Sequence, residues 1–136
     1  MNDEGNLEWD IFLAPHHCSW SFFSSEPYDP DAPEPSEGII DLLNMKRGRA
    51  YIVSSSKPIE DNDDNPPCHD AAEIYRSVVG KDRFLCTGEH PNVEEPEPIH
   101  FTMTVNGPVR DELREARKSR VHSYVQAAVA RPRYYG

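Results

Sequence analysis

The chain has 136 residues, which is enough for one domain with a modest hydrophobic core and too few for two such domains. Its formal net charge of −10 argues against a surface that binds nucleic acid over its whole extent. The charge is uneven, because residues 1–109 carry 7 basic and 21 acidic side chains whereas residues 110–136 carry 7 basic and 3 acidic ones. An acidic body is therefore followed by a basic C-terminal segment.

The cysteine pattern and the N-terminus predict a reduced, cytoplasmic protein. The three cysteines are an odd number and show no CxxC spacing. The opening stretch MNDEGNLEWD is acidic, whereas a secretory leader begins with basic residues. No apolar run approaches the roughly 20 residues that a membrane-spanning helix needs, so we expect no membrane partner.

The first part of the chain predicts a buried strand, a loop and a helix. Residues 11–14, IFLA, form a short apolar run that ends at Pro15. Residues 24–37, SSEPYDPDAPEPSE, are too rich in proline and acid for regular structure. Ser36 is a good N-cap for the amphipathic helix that follows, and Gly48 is expected to end it.

Strands and helices continue to alternate along the chain. Residues 50–53, AYIV, predict the second strand, and a polar, proline-rich loop follows it. Asp70 is expected to cap the next helix, which closes at Gly80. The order of elements predicts an α/β fold with crossover connections. The remaining elements are two strands and a C-terminal helix, predicted over residues 83–87, 99–105 and 109–130.

Histidines follow the predicted strands at places where α/β folds build their sites. His16 and His17 come directly after the first strand, and His69 stands at the start of the second helix. Imidazoles are first-choice zinc ligands and transfer protons near neutral pH. The spacing alone leaves open whether these three are ligands, catalytic groups or hydrogen-bonded bystanders. The bystander interpretation is favoured for the other histidines, His90, His100 and His122.

An ordered set of motif residues runs through residues 9–107. Asp10 and the run PHHCS at residues 15–19 stand at the positions of a D…PHHGS motif. The later matches keep the same order, with Ser54 and Thr87 after strands and Asn65 and His69 in an N…H element. This set resembles the C-terminal half of metallo-β-lactamase-fold hydrolases, and in particular the ComEC-like hydrolase domain of competence-type DNA-uptake channel proteins.

The resemblance implies a fold and a chemistry. The fold is half of an αββα sandwich, a mixed sheet with helices on one side. It comprises a half-domain at residues 1–109 and a C-terminal helix with a basic tail at residues 110–136. Such enzymes use two metal ions to activate a hydroxide that attacks a phosphodiester or a related ester. The residues carried over are His16 and His17 as catalytic groups, His17 and His69 as ligands of zinc or manganese, and Ser19 and Asn65 as substrate-binding groups.

The chain departs from this family in ways that leave only half a site. Cys18 stands where the family has glycine, and Asp70 stands where it has proline. The H-x-H-x-D-H motif and the bridging aspartate that belong to the N-terminal half of the fold are absent from the sequence. We therefore expect an incomplete hydrolase that holds zinc, manganese or no metal. Because a half-domain leaves an apolar sheet face uncovered, we also expect association with a second copy or with another chain that completes the fold.

Two other functions stay open. The chain could be a non-catalytic interaction module that keeps half of the fold and uses its loops or tail for partners. The basic tail could suit a nucleic-acid backbone, although basic residues near a helix C-terminus also complement the helix dipole, which is the simpler interpretation. A redox protein that uses Cys18 and Cys68 is the third class, and no CxxC pair or neighbouring lysine supports it.

Overall fold

The computed structural model describes residues 7–112. The helix Glu37–Asn44 connects the first strand to the second, and the helix His69–Val79 connects the second strand to the third. The predicted α/β class is thereby confirmed. The three strands form a parallel sheet in the order β1–β2–β3, where β1 spans Trp9–Leu13, β2 spans Lys46–Ser54 and β3 spans Phe84–Cys86.

The central strand β2 fixes the register of both neighbours. Phe12, Ile52 and Phe84 lie side by side across the three strands. Because successive side chains of a strand point to opposite faces, these three share one face of the sheet. Tyr75 packs on this face, with its ring centroid 6.5 Å from that of Phe12 and 5.7 Å from that of Phe84. The helix His69–Val79 therefore covers this face, which is the inner face of the parallel sheet.

An aromatic cluster around Tyr75 forms the centre of the core. Tyr75 is fully buried, and its ring centroid lies 5.0 Å from that of Phe23 and 6.4 Å from that of Phe22. Ala71 and Ala72, one helical turn earlier, are also fully buried. Each large apolar side chain buried in this way contributes about 1.5–3 kcal/mol to stability. The connection between β1 and the first helix thus becomes part of the core through its two phenylalanines.

The acidic, proline-rich loop is tied to the second helix through Tyr28. Its ring centroid lies 5.5 Å from that of Trp20, and its hydroxyl donates to Oδ2 of Asp70 at 2.5 Å. Burial and this hydrogen bond raise the pKa of Tyr28.

The prediction that Asp70 caps the helix is wrong. The N-cap is Cys68, which is extended at φ −99° and ψ 124° and accepts the Ala72 N–H through its carbonyl.

The first helix ends earlier than the sequence predicts. Ser36 is its N-cap, as predicted, but its last residue is Asn44 and Gly48 lies within β2. The start of β2 is held in strand geometry by Arg47, which donates to Oδ2 of Asp10 on β1 at 2.9 Å. Gly48 therefore belongs to a strand, because β2 pairs with β1 at Lys46 and again from Tyr51, on both sides of this glycine.

A separate two-stranded sheet replaces the expected single mixed sheet in the described part of the chain. The strands β4, Phe101–Thr104, and β5, Gly107–Arg110, pair antiparallel across a two-residue turn at Val105 and Asn106. Gly107, which follows the turn, has φ 106°. The predicted C-terminal helix is wrong at residues 109–110, because β4 finds its hydrogen-bond partners there. Residues 113–130 of that predicted helix lie outside the described residues.

The hairpin β4–β5 partly covers the outer face of the parallel sheet. Tyr51 of β2 meets Phe101 of β4 with 4.9 Å between ring centroids. Leu13 at the end of β1 is 69% exposed, so part of the expected apolar face does reach solvent.

The division of the chain at residues 109 and 110 stays a prediction. Within residues 7–112, no helix combines the length and the apolar character needed to cross a bilayer.

We expect Tyr75→Phe to stabilise the protein. The Tyr75 hydroxyl is buried and has no hydrogen-bond partner among the described residues, and burial raises its pKa. Removing an unsatisfied buried hydroxyl while keeping the ring should raise the free energy of unfolding by about 1 kcal/mol in urea titrations. Tyr28→Phe is the matched control and should lower it, because that hydroxyl is bonded to Asp70. A loss of stability in Tyr75→Phe would contradict this account.

Candidate functional site

The run from Pro15 to Cys18, here called the histidine turn, has a strained backbone. His16 has φ 50° and ψ 40°, His17 has φ 59° and ψ 42°, and Cys18 has φ 66°. Left-handed backbone costs about 1–3 kcal/mol for each residue other than glycine, although histidine is among the residues that tolerate it best. Strain of this kind concentrates at functional sites. The first candidate is therefore the place where β1 ends.

His17 is oriented by a backbone carbonyl. Its Nδ1 lies 2.5 Å from the carbonyl oxygen of Ser55, just beyond the end of β2. A carbonyl oxygen only accepts hydrogen bonds, so Nδ1 carries the proton. In the neutral ring, Nε2 then holds a lone pair that is not used in this bond. This is the tautomer in which a histidine serves as a metal ligand or a general base.

A cavity of about 430 Å³ opens beside His17 at the carboxyl edge of the parallel sheet. This edge is where open α/β sheets bind ligands. The ammonium of Lys57 is paired with Asp64 at 2.6 Å, so its charge is partly neutralised, and this pairing raises the pKa of Lys57. The cavity is thus lined by hydroxyl groups, one imidazole and one ammonium group. The lining includes His17, Ser55, Ser56, Lys57, Pro67 and Thr87.

His16 and His69, the other two candidate histidines, do not line this cavity. His16 is exposed on the turn. His69 begins the second helix, where Nδ1 lies 3.6 Å from Asp61 and 3.9 Å from Asp70, and Nε2 lies 3.9 Å from Glu73. The structure therefore brings His17 to the cavity and leaves His69 among carboxylates. The catalytic and ligand roles assigned to these histidines stay predictions.

Ser19 and Asn65, predicted to bind substrate, contact each other. The Ser19 hydroxyl donates to Oδ1 of Asn65 at 3.0 Å, and the Trp20 N–H donates to the same oxygen at 2.9 Å. Ser19 is 6% exposed. The two motif segments that the sequence singled out are therefore joined directly, and a substrate-binding role for either residue stays a prediction.

The described residues do not fit a complete zinc or manganese site. Between residues 7 and 112, no group of three or more histidine, cysteine, aspartate or glutamate side chains is placed to hold a metal ion. Cys18, Cys68 and Cys86 are free and buried. Burial, followed by the neighbouring Cys68, raises the pKa of Cys18 from 9.0 to about 12. A thiol with this pKa is neither a ready ligand nor a ready nucleophile.

Several groups that line the cavity could not be identified from the sequence. The Ser55 carbonyl is a backbone atom and leaves no mark in the sequence, although the SSS run after β2 signals where the strand ends. Lys57 and Pro67 come from the polar, proline-rich loop, for which the sequence predicts no functional residue besides Asn65 and His69. Parallel pairing of β1 with β2 brings that loop beside the histidine turn.

The fold and the site together define an α/β chain with a histidine turn at the carboxyl edge of a three-stranded parallel sheet. Comparison with protein-family models, with curated proteins and with solved structures finds no match to this chain.

Gly88→Ala should destabilise the protein because the backbone comes very close at this position. A Cβ added there would lie 2.5 Å from the carbonyl oxygen of Ser56 and 2.9 Å from the carbonyl carbon of Lys57. We expect a loss of about 1–3 kcal/mol in the free energy of unfolding, measured in urea. Gly38 lies in the first helix, and a Cβ added there would have no neighbour within 4 Å. Gly38→Ala should therefore raise the free energy of unfolding by about 0.5–1 kcal/mol. Equal effects of the two variants would contradict the close approach at Gly88.

Alkaline pH should weaken the fold through Cys18. In the unfolded chain this thiol ionises near pH 9, whereas in the folded protein it stays protonated to about pH 12. The unfolded state therefore releases the proton first, and the free energy of unfolding falls as pH rises from 9 to 12. Urea titrations across this window should show a shallower fall for Cys18→Ala. An identical fall in both proteins would assign the effect to other groups, such as Tyr75.

Proposed function

We propose that this chain supplies the histidine half of a metallo-β-lactamase-type hydrolytic centre and needs a second copy or another chain to complete it. The observation that carries the proposal is the state of His17. Its Nδ1 proton is engaged by the Ser55 carbonyl, its Nε2 is left for a ligand, and the ring lines the cavity at the sheet edge. His17 lies in the strained backbone of the histidine turn.

The local geometry agrees with the motif that suggests this family. Cys18 has φ 66°, a conformation that glycine adopts without strain, and the resembled motif has glycine at this position. Asn65, from the second motif element, bonds directly to Ser19 of the first. Both relations are what the D…PHHGS and N…H elements would need if they formed one edge of a single site.

The proposed substrate class is a phosphodiester or a related ester. The Ser55 hydroxyl and the Lys57 ammonium offer donors to the anionic oxygens of such a group. The hydroxyls of Ser56 and Thr87 also line the cavity and are bonded to neighbouring protein groups. In the absence of a bound metal, Nε2 of neutral His17 can instead accept a proton. A zinc or manganese ion belongs to the proposal only as an ion shared with the completing chain, because residues 7–112 do not hold a full ligand group.

A non-catalytic interaction module is the second candidate. One observation favours it, namely that no group of three ligand side chains forms in the described part of the chain. In this case the histidine turn would be a structural remnant, and Nε2 of His17 would have no particular affinity for metal.

A zinc titration followed on the imidazole signals by NMR should separate the two. At limiting Zn²⁺ we expect His17 to respond before the other histidines, and His17→Ala to remove that response. His69→Ala is the matched control and should leave it, since His69 lies among carboxylates away from the cavity. The isolated chain should not hydrolyse a model phosphodiester.

Each outcome decides between stated alternatives. An equal, weak response of every exposed imidazole would overturn the proposed half-site and leave the interaction module. Stoichiometric metal that survives gel filtration and is lost in both His17→Ala and His69→Ala would show a complete ligand set and overturn the need for a second chain.

A further inference from the structure

The histidine turn is held at both ends by hydrogen bonds from other segments. At its N-terminal end, the Ala14 N–H donates to the Val53 carbonyl at 2.9 Å, which continues the pairing of β1 with β2. At its C-terminal end, the Ser19 hydroxyl and the Trp20 N–H converge on one oxygen of Asn65 at 3.0 and 2.9 Å. The Asn65 side chain thus bonds to both of the residues that follow the turn.

The direction of these bonds follows from the donors. The Trp20 N–H can only donate, so the Asn65 atom that faces it is the carbonyl oxygen Oδ1. The Ser19 hydroxyl donates to the same oxygen, and its own oxygen accepts from the backbone N–H and the hydroxyl of Ser21 at 3.2 and 3.0 Å. The one donor and both acceptor positions of the Ser19 hydroxyl are therefore used in bonds to Asn65 and Ser21. What the turn requires from Asn65 is an acceptor oxygen.

The segment from Asn65 to Cys68 also bonds to the turn at a second point. The Cys68 N–H donates to the Cys18 carbonyl at 2.8 Å. The chain between His17 and Ser19 is one residue long, so a shift at Ser19 passes directly into the left-handed residues before it. Without the bonds at Asn65, the turn could relax toward ordinary backbone angles, and this would carry the His17 ring away from the Ser55 carbonyl.

We propose that Asn65 is a positioning residue that holds His17 in its Nδ1–H tautomer. Its side-chain oxygen clamps the exit of the histidine turn, and the clamped turn keeps Nδ1 of His17 on the Ser55 carbonyl. This inference concerns the same turn as the proposed function, but it requires neither a metal ion nor a completing chain.

The test reads the tautomer of His17 directly. Long-range proton–nitrogen NMR spectra are recorded without metal at alkaline pH, where imidazoles are neutral. In the unaltered protein, we expect His17 to be in the Nδ1–H form. In Asn65→Ala, the ratio of the Nδ1–H to the Nε2–H form should fall about fivefold, the factor that corresponds to one lost hydrogen bond.

Two variants separate positioning from general loss of structure. Asn65→Asp keeps an acceptor oxygen at the same place and should preserve the tautomer ratio. Asn62→Ala makes the same deletion in the same loop and should also preserve it, because the Asn62 side chain bonds, within residues 7–112, to Glu60 and Asp64. An unchanged His17 ratio in folded Asn65→Ala, or an equal change in Asn62→Ala, would overturn the proposal.

If Asn65→Ala does not fold, Ser19→Ala provides the readout. This variant removes one of the two bonds to Asn65 and should shift the ratio in the same direction by a smaller factor. No shift in folded Ser19→Ala would also overturn the clamp. A tautomer that responds as expected while the zinc titration shows no preference for His17 would retain the clamp and refute the hydrolytic half-site.

Discussion

The parallel pairing of β2 with strands on both of its sides is the constraint on which the rest of the structure depends. It sets the row of Phe12, Ile52 and Phe84 that receives the second helix, and therefore the location of the aromatic core. The same register brings the carboxyl ends of three strands to one edge. Because the strands are parallel, the loops that follow them meet there although they are far apart in sequence. Core and candidate site are two results of one pairing pattern.

At that edge, strain and hydrogen bonding oppose each other. Three successive left-handed residues cost several kcal/mol together, about 1–3 kcal/mol each. The opposing bonds come from three different places: the Val53 carbonyl, the Asn65 side chain and the Cys68 N–H. Each such bond contributes about 0.5–1.5 kcal/mol, so no single one balances the turn. The conformation of the turn is therefore a property of the assembled sheet edge, and the local sequence PHHC would not adopt it alone.

Much of the fold could be predicted from the sequence, because its signals are local. The apolar run before Pro15, the Ser36 cap and the glycine after the second helix each mark an element boundary within a few residues. The hairpin could not be predicted in this way, since residues 109–110 become a strand only because β4 offers them a partner. The predicted helix stop at Gly48 is wrong for the same reason, because the strand that contains it is held by contacts to β1.

The site was predictable in its residue types and not in its connections. The histidine pair after a buried strand predicts a candidate site at the carboxyl edge of the sheet, and His17 lines a cavity there. The group that orients His17 is the backbone carbonyl of Ser55, just beyond the end of β2, and a residue of any type would supply it. The positions of His17 and His69 after predicted strands group the two histidines, and the resemblance assigns both of them to one metal site. In the structure, His69 lies beside Asp61, Asp70 and Glu73, whose positions depend on how the acidic loop is packed.

The left-handed turn also bears on how this sequence can drift during evolution. Positions 16 to 18 have φ between 50° and 66°, which excludes valine, isoleucine and threonine and favours glycine, asparagine, aspartate and histidine. Selection for the backbone alone would therefore retain histidine at these positions more often than chance. In divergent descendants of this chain, a surviving histidine pair would reflect conformational selection as well as chemistry, and the two pressures would separate only where histidine gives way to glycine or asparagine.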